Sequence, residues 1–307
     1  MPAAKVAPDE ECRCGFIALV GRPNVGKSTL FNRLVAAHLS PVTHKPQTTR
    51  YNIRGVLTRG SRQLVFVDTP GLHRRARYAL NRVLNRNVLQ ALKNLDAVVM
   101  MAVYDRWLPA DEAVLKIAAA CGKPVFLVLN KVDHARDKSD LLECIAAASK
   151  RHDFKEIFPL SALRDDSFDK LIEALSQCLP HADFLFDEDQ LSDRSERFIV
   201  AELVREQLMM ELHQELPYTM HVEIESFEER GAVAHISAVV FVEKENQRAI
   251  AVGRGGARLK RVGMRARREV EKILGRRVFL RLWVKTKRDW QQDPAILNAY
   301  SSSGKLL

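Results

Sequence analysis

Cysteine is scarce and scattered in this 307-residue chain: Cys12, Cys14, Cys121, Cys144 and Cys178. An odd number without regular spacing excludes a disulfide-built scaffold, so a reducing, cytosolic compartment is expected. Cys12-x-Cys14 is the only close pair. With no second pair or suitably spaced histidine beside it, it points to a loose tail rather than a zinc site. Long apolar runs are missing too. None approaches the roughly 18 residues of a membrane span, and the opening MPAAKVAPDEECRC has acids and no hydrophobic stretch. Neither a span nor a secretory or import signal is therefore expected. Repeats and low-complexity tracts are absent, which argues against solenoid and disordered classes. What is abundant is positive charge in one place: residues 248–288 hold 15 Lys+Arg against 2 Asp+Glu, and the rest of the chain holds 33 against 36. One end thus carries the whole net charge of +10, and a polyanion is its natural partner.

Hydrophobic residues make up 47% of a chain longer than the ~250 residues at which single cores stop growing, so two domains are expected. In the first half, short β-rich apolar runs (16–20, 52–58, 63–67, 97–103, 125–129, 157–160) alternate with helical stretches (26–36, 76–93, 111–121, 138–151, 168–178). That alternation predicts an α/β domain with a doubly wound, mostly parallel sheet, whose ligands bind beyond the carboxyl ends of the strands. The acidic stretch HADFLFDEDQLSD reads as a linker. A helix over 193–213 follows, with a core stripe of Phe198, Ala201, Val204, Leu208 and Leu212, then strands at 220–227 and 233–242, a helix over 257–274 and a strand at 278–285. Periodicity leaves 248–252 open between helix and strand. The expected organisation is a tail at 1–14, an α/β domain at 15–180, a linker at 181–193, a smaller α+β domain at 194–288 and a tail at 289–307.

Gly21-Arg22-Pro23-Asn24-Val25-Gly26-Lys27-Ser28, followed by Thr29, fits G-x-x-x-x-G-K-[ST] between the first strand and the first helix. A nest of backbone N–H groups at a helix N-terminus cradles phosphates there; Lys27 neutralises them and Ser28 holds Mg²⁺. Asp68-Thr69-Pro70-Gly71 follows the third strand, so Asp68 can bind Mg²⁺ through a water and the Gly71 N–H can face the γ-phosphate, with Leu72 next. Asn130-Lys131-Val132-Asp133 follows the fifth strand. Asp133 can accept from guanine N1–H and the 2-amino group, and with adenine it would be left unpaired, so GTP and GDP are the expected nucleotides. Ser161-Ala162-Leu163, after the sixth strand, can offer a backbone N–H to guanine O6. These elements resemble GTPase boxes, and the resemblance implies a further G2 threonine in a mobile loop between the first helix and the second strand, where Gln47-Thr48-Thr49-Arg50 lies. Thr49 is favoured over Thr48 as the Mg²⁺ ligand; the sequence alone does not decide.

In this order and at these strand ends, the four elements resemble the G1, G3, G4 and G5 boxes of translation-factor-like GTPases. Leu72 departs from the Ras-like pattern, since an aliphatic side chain cannot orient the attacking water. Slow intrinsic turnover is therefore expected. In GTPases with this departure the asparagine matching Asn24 helps hold K⁺ against the phosphates; satisfying backbone groups of its own loop is the other reading of Asn24.

Farther on, Gly253-Arg254-Gly255-Gly256 leads into a helix carrying Arg258, Lys260 and Arg261. The order helix, strand, strand, GxxG, helix, strand matches a type II KH domain, whose glycines let the backbone of about four unpaired nucleotides approach closely. A G domain followed by a KH domain resembles the Era family of bacterial ribosome-assembly GTPases. The resemblance runs from about residue 16 to 287 on GRPNVGKSTL, QTTR, VDTPGLH, NKVD, SDRSERF, ELPYTMHVEI, VGRGG and LWVKTKRDW. It implies binding to unpaired RNA near the 3′ end of small-subunit rRNA in a 30S precursor, gated by the nucleotide. It also implies a loose peripheral association with the inner face of the cell membrane; a monomeric cytoplasmic protein is expected. An RNA chaperone or structural ribosome-associated protein that binds GTP with negligible turnover is the alternative.

Overall fold

The computed structural model describes residues 12–45, 48–71, 88–89, 92–135, 137–294 and 296–297. Six strands form the first sheet: β1 Arg13–Val20, β2 Ile53–Arg59, β3 Arg62–Asp68, β4 Ala97–Val103, β5 Val125–Asn130 and β6 Glu156–Leu160. Their order is β2-β3-β1-β4-β5-β6, with β2 antiparallel to β3 and every other pair parallel. The central strands read as unbroken apolar runs because helices cover both faces of the sheet. In β4 (AVVMMAV), residues 97–102 are all buried. Helices α1 Lys27–Leu34, α2 Pro109–Ala119, α3 Lys138–Ser149 and α4 Asp169–Gln177 complete the α/β layers. Strand order reverses beside β1, and in such sheets the crevice at that switch point receives ligands. Of the helix expected at 76–93, Val88 and Leu89 are helical; residues 72–87, 90 and 91 lie outside the described residues.

Arg13 and Cys14, expected in the tail, belong to β1. They pair with Arg62 and Gln63 of β3, and buried Cys14 points its Sγ at Gln63 Oε1, 3.5 Å away. Residues 181–193, read as a linker, are largely irregular and docked along the β2–β3 edge. Gln63 Nε2 donates to the Phe186 carbonyl at 2.8 Å, the Val56 N–H to the Leu191 carbonyl at 2.9 Å, and Arg54 pairs with Asp193 at 3.1 Å.

In the second domain, β7 Met220–Arg230 runs antiparallel to β8 Val233–Val242, and β9 Arg277–Thr286 lies parallel to β8 on its other side. Helices α5 Glu196–Glu211, α6 Glu245–Val252 and α7 Ala257–Leu274 pack with this sheet. The open segment 248–252 is therefore helix. Two expectations are corrected here. Phe198 and Ala201 of the proposed α5 stripe are only partly buried, whereas Arg205 on the same face and Glu202, Glu206 and Gln207 on other faces are buried. The reason is that α5 packs on its own sheet and against the first domain at once, so no side of it is left to solvent for most of its length. The second correction concerns the C-terminal tail, which does not begin free at residue 289. Trp290 is fully buried, donates its indole N–H to the Thr219 carbonyl at 3.0 Å and stacks on His221.

Candidate functional site

The segment between β1 and α1 forms a cradle. Asn24 (φ 63°) and Gly26 (φ 106°) both have left-handed backbones, which turns successive N–H groups inward. Gly26 cannot be replaced freely, because a Cβ there would stand 2.2 Å from Asn130 Nδ2. That closeness reflects a tie: Asn130 donates to the Val25 carbonyl at 2.7 Å and accepts from the Ala162 N–H at 2.8 Å. One side chain thus locks together the loops after β1, β5 and β6. Gly71 approaches the same cradle, with a Cβ placed 2.9 Å from Pro23 Cγ, and the Thr69 hydroxyl donates to the Leu19 carbonyl at 2.8 Å. Pro70 is buried beside them.

Lys27 is buried, and its ammonium donates to the carbonyls of Gly21 (3.0 Å) and Arg22 (3.2 Å). Burial pushes its pKa down to about 8, against the opposing pull of Asp68. A nucleotide phosphate would restore the charged form, so GDP binding at pH 8 and above is predicted to take up a proton. Calorimetric titration in two buffers of different ionisation enthalpy measures that uptake; equal heats in both would refute the assignment of Lys27 to phosphate. Arg22 points elsewhere: its Nε lies 3.0 Å from Asp111 Oδ2 at the start of α2.

Three predicted metal ligands converge. Ser28 Oγ lies 2.8 Å from Thr49 Oγ1 and donates to Asp68 Oδ2 at 2.7 Å, and Thr49 Oγ1 lies 3.4 Å from the same oxygen. Ser40, missed by sequence reasoning, also donates to Asp68 Oδ2, at 2.6 Å. Burial pushes the Asp68 carboxyl up, while Lys27 and these hydroxyls pull it down. Its second oxygen, Oδ1, is buried with no hydrogen-bond partner among the described residues. Hydroxyl and carboxylate oxygens with one oxygen to spare fit Mg²⁺, which takes hard oxygen ligands and few protein groups. Thr48 does not join them, since its hydroxyl lies 2.6 Å from that of Thr43 and donates to the Lys45 carbonyl at 2.7 Å. Arg50 turns away into the second domain, where it is fully buried and donates to the carbonyls of Met220 (2.8 Å) and Tyr218 (2.9 Å). Gln47 and Leu72 lie outside the described residues.

Beyond the cradle, Asp133 and Lys131 (φ 68°) face the 161–163 loop across a cavity of ≈ 490 Å³, lined by these and by Asn24, Thr29 and His44 among others. A drug-sized ligand commonly occupies such a volume. The Ser161 hydroxyl holds the Asp133 carboxyl below its usual range, keeping it an acceptor. Val132 opens the short helical turn that carries Asp133, and Leu163 is exposed at the rim. Asn24 Nδ2 donates to the His44 carbonyl at 2.9 Å, so in this structure it serves loop backbone, and the residue also lines the cavity.

In the second domain the loop between α6 and α7 has Gly253, Gly255 and Gly256 at φ 74°, 55° and 77°. A Cβ at Gly253 would meet Arg258 Cβ at 2.7 Å, while Gly255 and Gly256 open on free space. Arg254 and Lys260 are exposed. Arg258 donates to the Ile250 carbonyl and Arg261 pairs with Glu211, so these two also hold structure. Beside the loop, α7 and the edge strand β9 enclose a groove of ≈ 400 Å³ lined by Leu259, Met264, Phe279, Leu280 and Leu282. Sequence reasoning named none of these. The available signal was Phe279 on a strand of alternating burial; it stands 49% exposed.

Comparison with known proteins agrees with this layout. The model of the 50S ribosome-binding GTPase family matches residues 16–131, and that of the KH domain matches 215–291. GTPase Era of Xanthomonas axonopodis pv. citri is 46% identical over 94% of this chain and 96% of its own length; GTPase Era of Xylella fastidiosa is 43% identical over 94% and 97%. Two crystal structures each superpose with a TM-score of 0.89 at 35% identity, covering 94% of this chain and 98% of theirs. One is an Aquifex aeolicus Era variant bound to GDP.AlF4-, the other is Era with MgGDPNP and nucleotides 1506–1542 of 16S ribosomal RNA. With identity at this level across nearly the full length of both proteins, and with the two domains in the same order, the chain belongs to the Era family of GTPases.

Proposed function

We propose that this protein is a GTP-hydrolysing switch whose KH domain binds unpaired RNA near the 3′ end of small-subunit rRNA during maturation of that subunit. One observation carries the coupling: adjacent residues of a single segment serve both domains. Thr49 stands at the metal site, and Arg50 is buried among carbonyls of the KH domain. A shift of this segment when the γ-phosphate leaves must pull on Arg50, and through it on the RNA-binding half. Ser28 and Thr49, with Asp68 through a water, would hold Mg²⁺. The ion would neutralise charge gathering on the β- and γ-phosphate oxygens. Lys27 and the cradle N–H groups fix the phosphates for in-line attack by water. In the second domain, Gly255 and Gly256 leave room for the RNA backbone while the apolar groove receives bases.

Among the described residues no helix is long and apolar enough to cross a membrane. We place the protein in the cytoplasm as a monomer, with its basic KH face available for loose contact with the membrane surface.

Potassium held against the phosphates with the help of Asn24 is proposed to supply the charge stabilisation of an arginine finger, in a site where Leu72 cannot orient the attacking water. Multiple-turnover phosphate release should be faster in K⁺ than in Na⁺ at equal ionic strength, and Asn24→Ala should erase the difference. Equal rates in both salts for the unaltered protein exclude this ion site. The absence of turnover with or without RNA would favour a nucleotide-binding RNA chaperone.

A further inference from the structure

The cavity holding Asp133 is not closed by the GTPase domain alone. Asn24, Thr29, His44, Asn130 and Leu163 of the first domain line it, and Met210 of the KH domain lines it as well. Met210 sits in the last turn of α5 and is 43% exposed, while Met209 beside it is fully buried. Successive helical residues point ~100° apart, so the turn that buries Met209 leaves Met210 facing the cavity.

The position of that turn is set by the first domain. Glu206 accepts from the Val42 N–H at 2.6 Å and lies 3.0 Å from His38 Nε2. Lys45 donates to the carbonyls of Met209 and Leu212, where a helix end offers unpaired acceptors and favours a cation. Asn24 in turn holds His44, so residues 42–45 brace the phosphate cradle against α5. An exposed methionine held this firmly over a largely apolar cavity lacks only a flat apolar partner, which a thioether chain accommodates well.

We propose that Met210 of the KH domain is a wall of the guanosine pocket, so that the nucleoside is bound by both domains. The proposal rests on the reading that this cavity takes a guanine nucleotide. It differs from coupling through Thr49 and Arg50 in what it senses: Met210 responds to the nucleoside, whichever phosphates it carries. By reciprocity, a ligand whose binding moves α5 changes nucleotide affinity, and the nucleotide changes that ligand's affinity by the same factor.

The test uses the full chain, titrated with GDP and with a non-hydrolysable GTP analogue. Met210→Ala should weaken both by about fivefold, as expected for exposing roughly half of a buried methionine. Met210→Leu should keep most of the affinity, and thermal unfolding should be unchanged in both. Unaltered affinity in Met210→Ala overturns the proposal. A loss confined to the GTP analogue, or one equally large in Met210→Leu, overturns it too, since either would mean that Met210 acts by placing the helix. Asp133→Asn run in parallel separates the two layers. If it weakens binding and Met210→Ala does not, the pocket stands and the wall falls; if neither does, the pocket reading itself fails.

Discussion

Replacing Gly256 by Asp should abolish RNA binding and leave guanine-nucleotide affinity intact. Gly256 has a left-handed backbone and open space where a side chain would go. The folding penalty is therefore confined to backbone strain of about 1–2 kcal/mol, smaller for Asp than for most residues. At the surface of the loop, by contrast, the new carboxylate would meet a phosphate. Like charges about 4 Å apart repel by roughly 1–4 kcal/mol between bulk-water and surface dielectric values, and the side chain also blocks close approach. A loss of at least about a hundredfold is expected from the two together. Lys260→Ala is the milder companion. Its side chain is exposed, so it should lower the salt dependence of binding by about 0.7 in log–log slope, the single-strand value for one phosphate contact. Arg258 and Arg261 are poorer choices, because each also holds structure. Arg59, paired with Asp169 on the first domain, is the control. RNA affinity titrated at several salt concentrations, with GDP affinity alongside, decides the matter: retained RNA binding in Gly256→Asp removes this loop from the RNA site.

Asp133→Asn should convert the nucleotide preference from guanine to xanthine. Asp133 accepts as a carboxylate, and Ser161 holds it ionised. An amide offers N–H where the guanine 2-amino group also offers N–H, so two donors face each other. Xanthine carries a carbonyl at that position and restores the match. Hydrogen bonds to a charged group are worth about 1.5–3 kcal/mol each. Losing two should therefore weaken GTP by at least about a hundredfold, with XTP gaining over GTP. Competition titrations with the two nucleotides read this directly. Unchanged GTP affinity would show that the loop after β5 does not bind the base.

Much of this site is legible in the sequence because its logic is local. The P-loop, the 68–71 turn and the 130–133 loop each follow an apolar strand, and strand ends in a parallel sheet share one edge. Knowing the strands therefore places Lys27, Asp68 and Asp133 on the same rim. The choice between Thr48 and Thr49 was not legible in this way: adjacent residues with the same side chain differ only in direction, and Thr43 and Lys45 turn Thr48 aside. Ser40 gave no signal either, since a lone serine matches no motif.

Sequence alone indicated the α/β GTPase domain followed by a KH domain and most of the element pattern, and it proposed the chemistry of the phosphate, base and GxxG loops. All of these follow from periodicity and from residue types at fixed spacing within a few tens of residues. Only the tertiary structure decided how the halves are joined. Arg50 is buried beneath Trp290 and the 217–220 backbone, Glu206 holds Val42 and His38, and Met210 overhangs the cavity of the other domain. These partners lie more than a hundred residues apart in the chain. A polar residue on a helix looks the same in sequence whether it faces water or a neighbouring domain; burial by a distant surface is a property of packing.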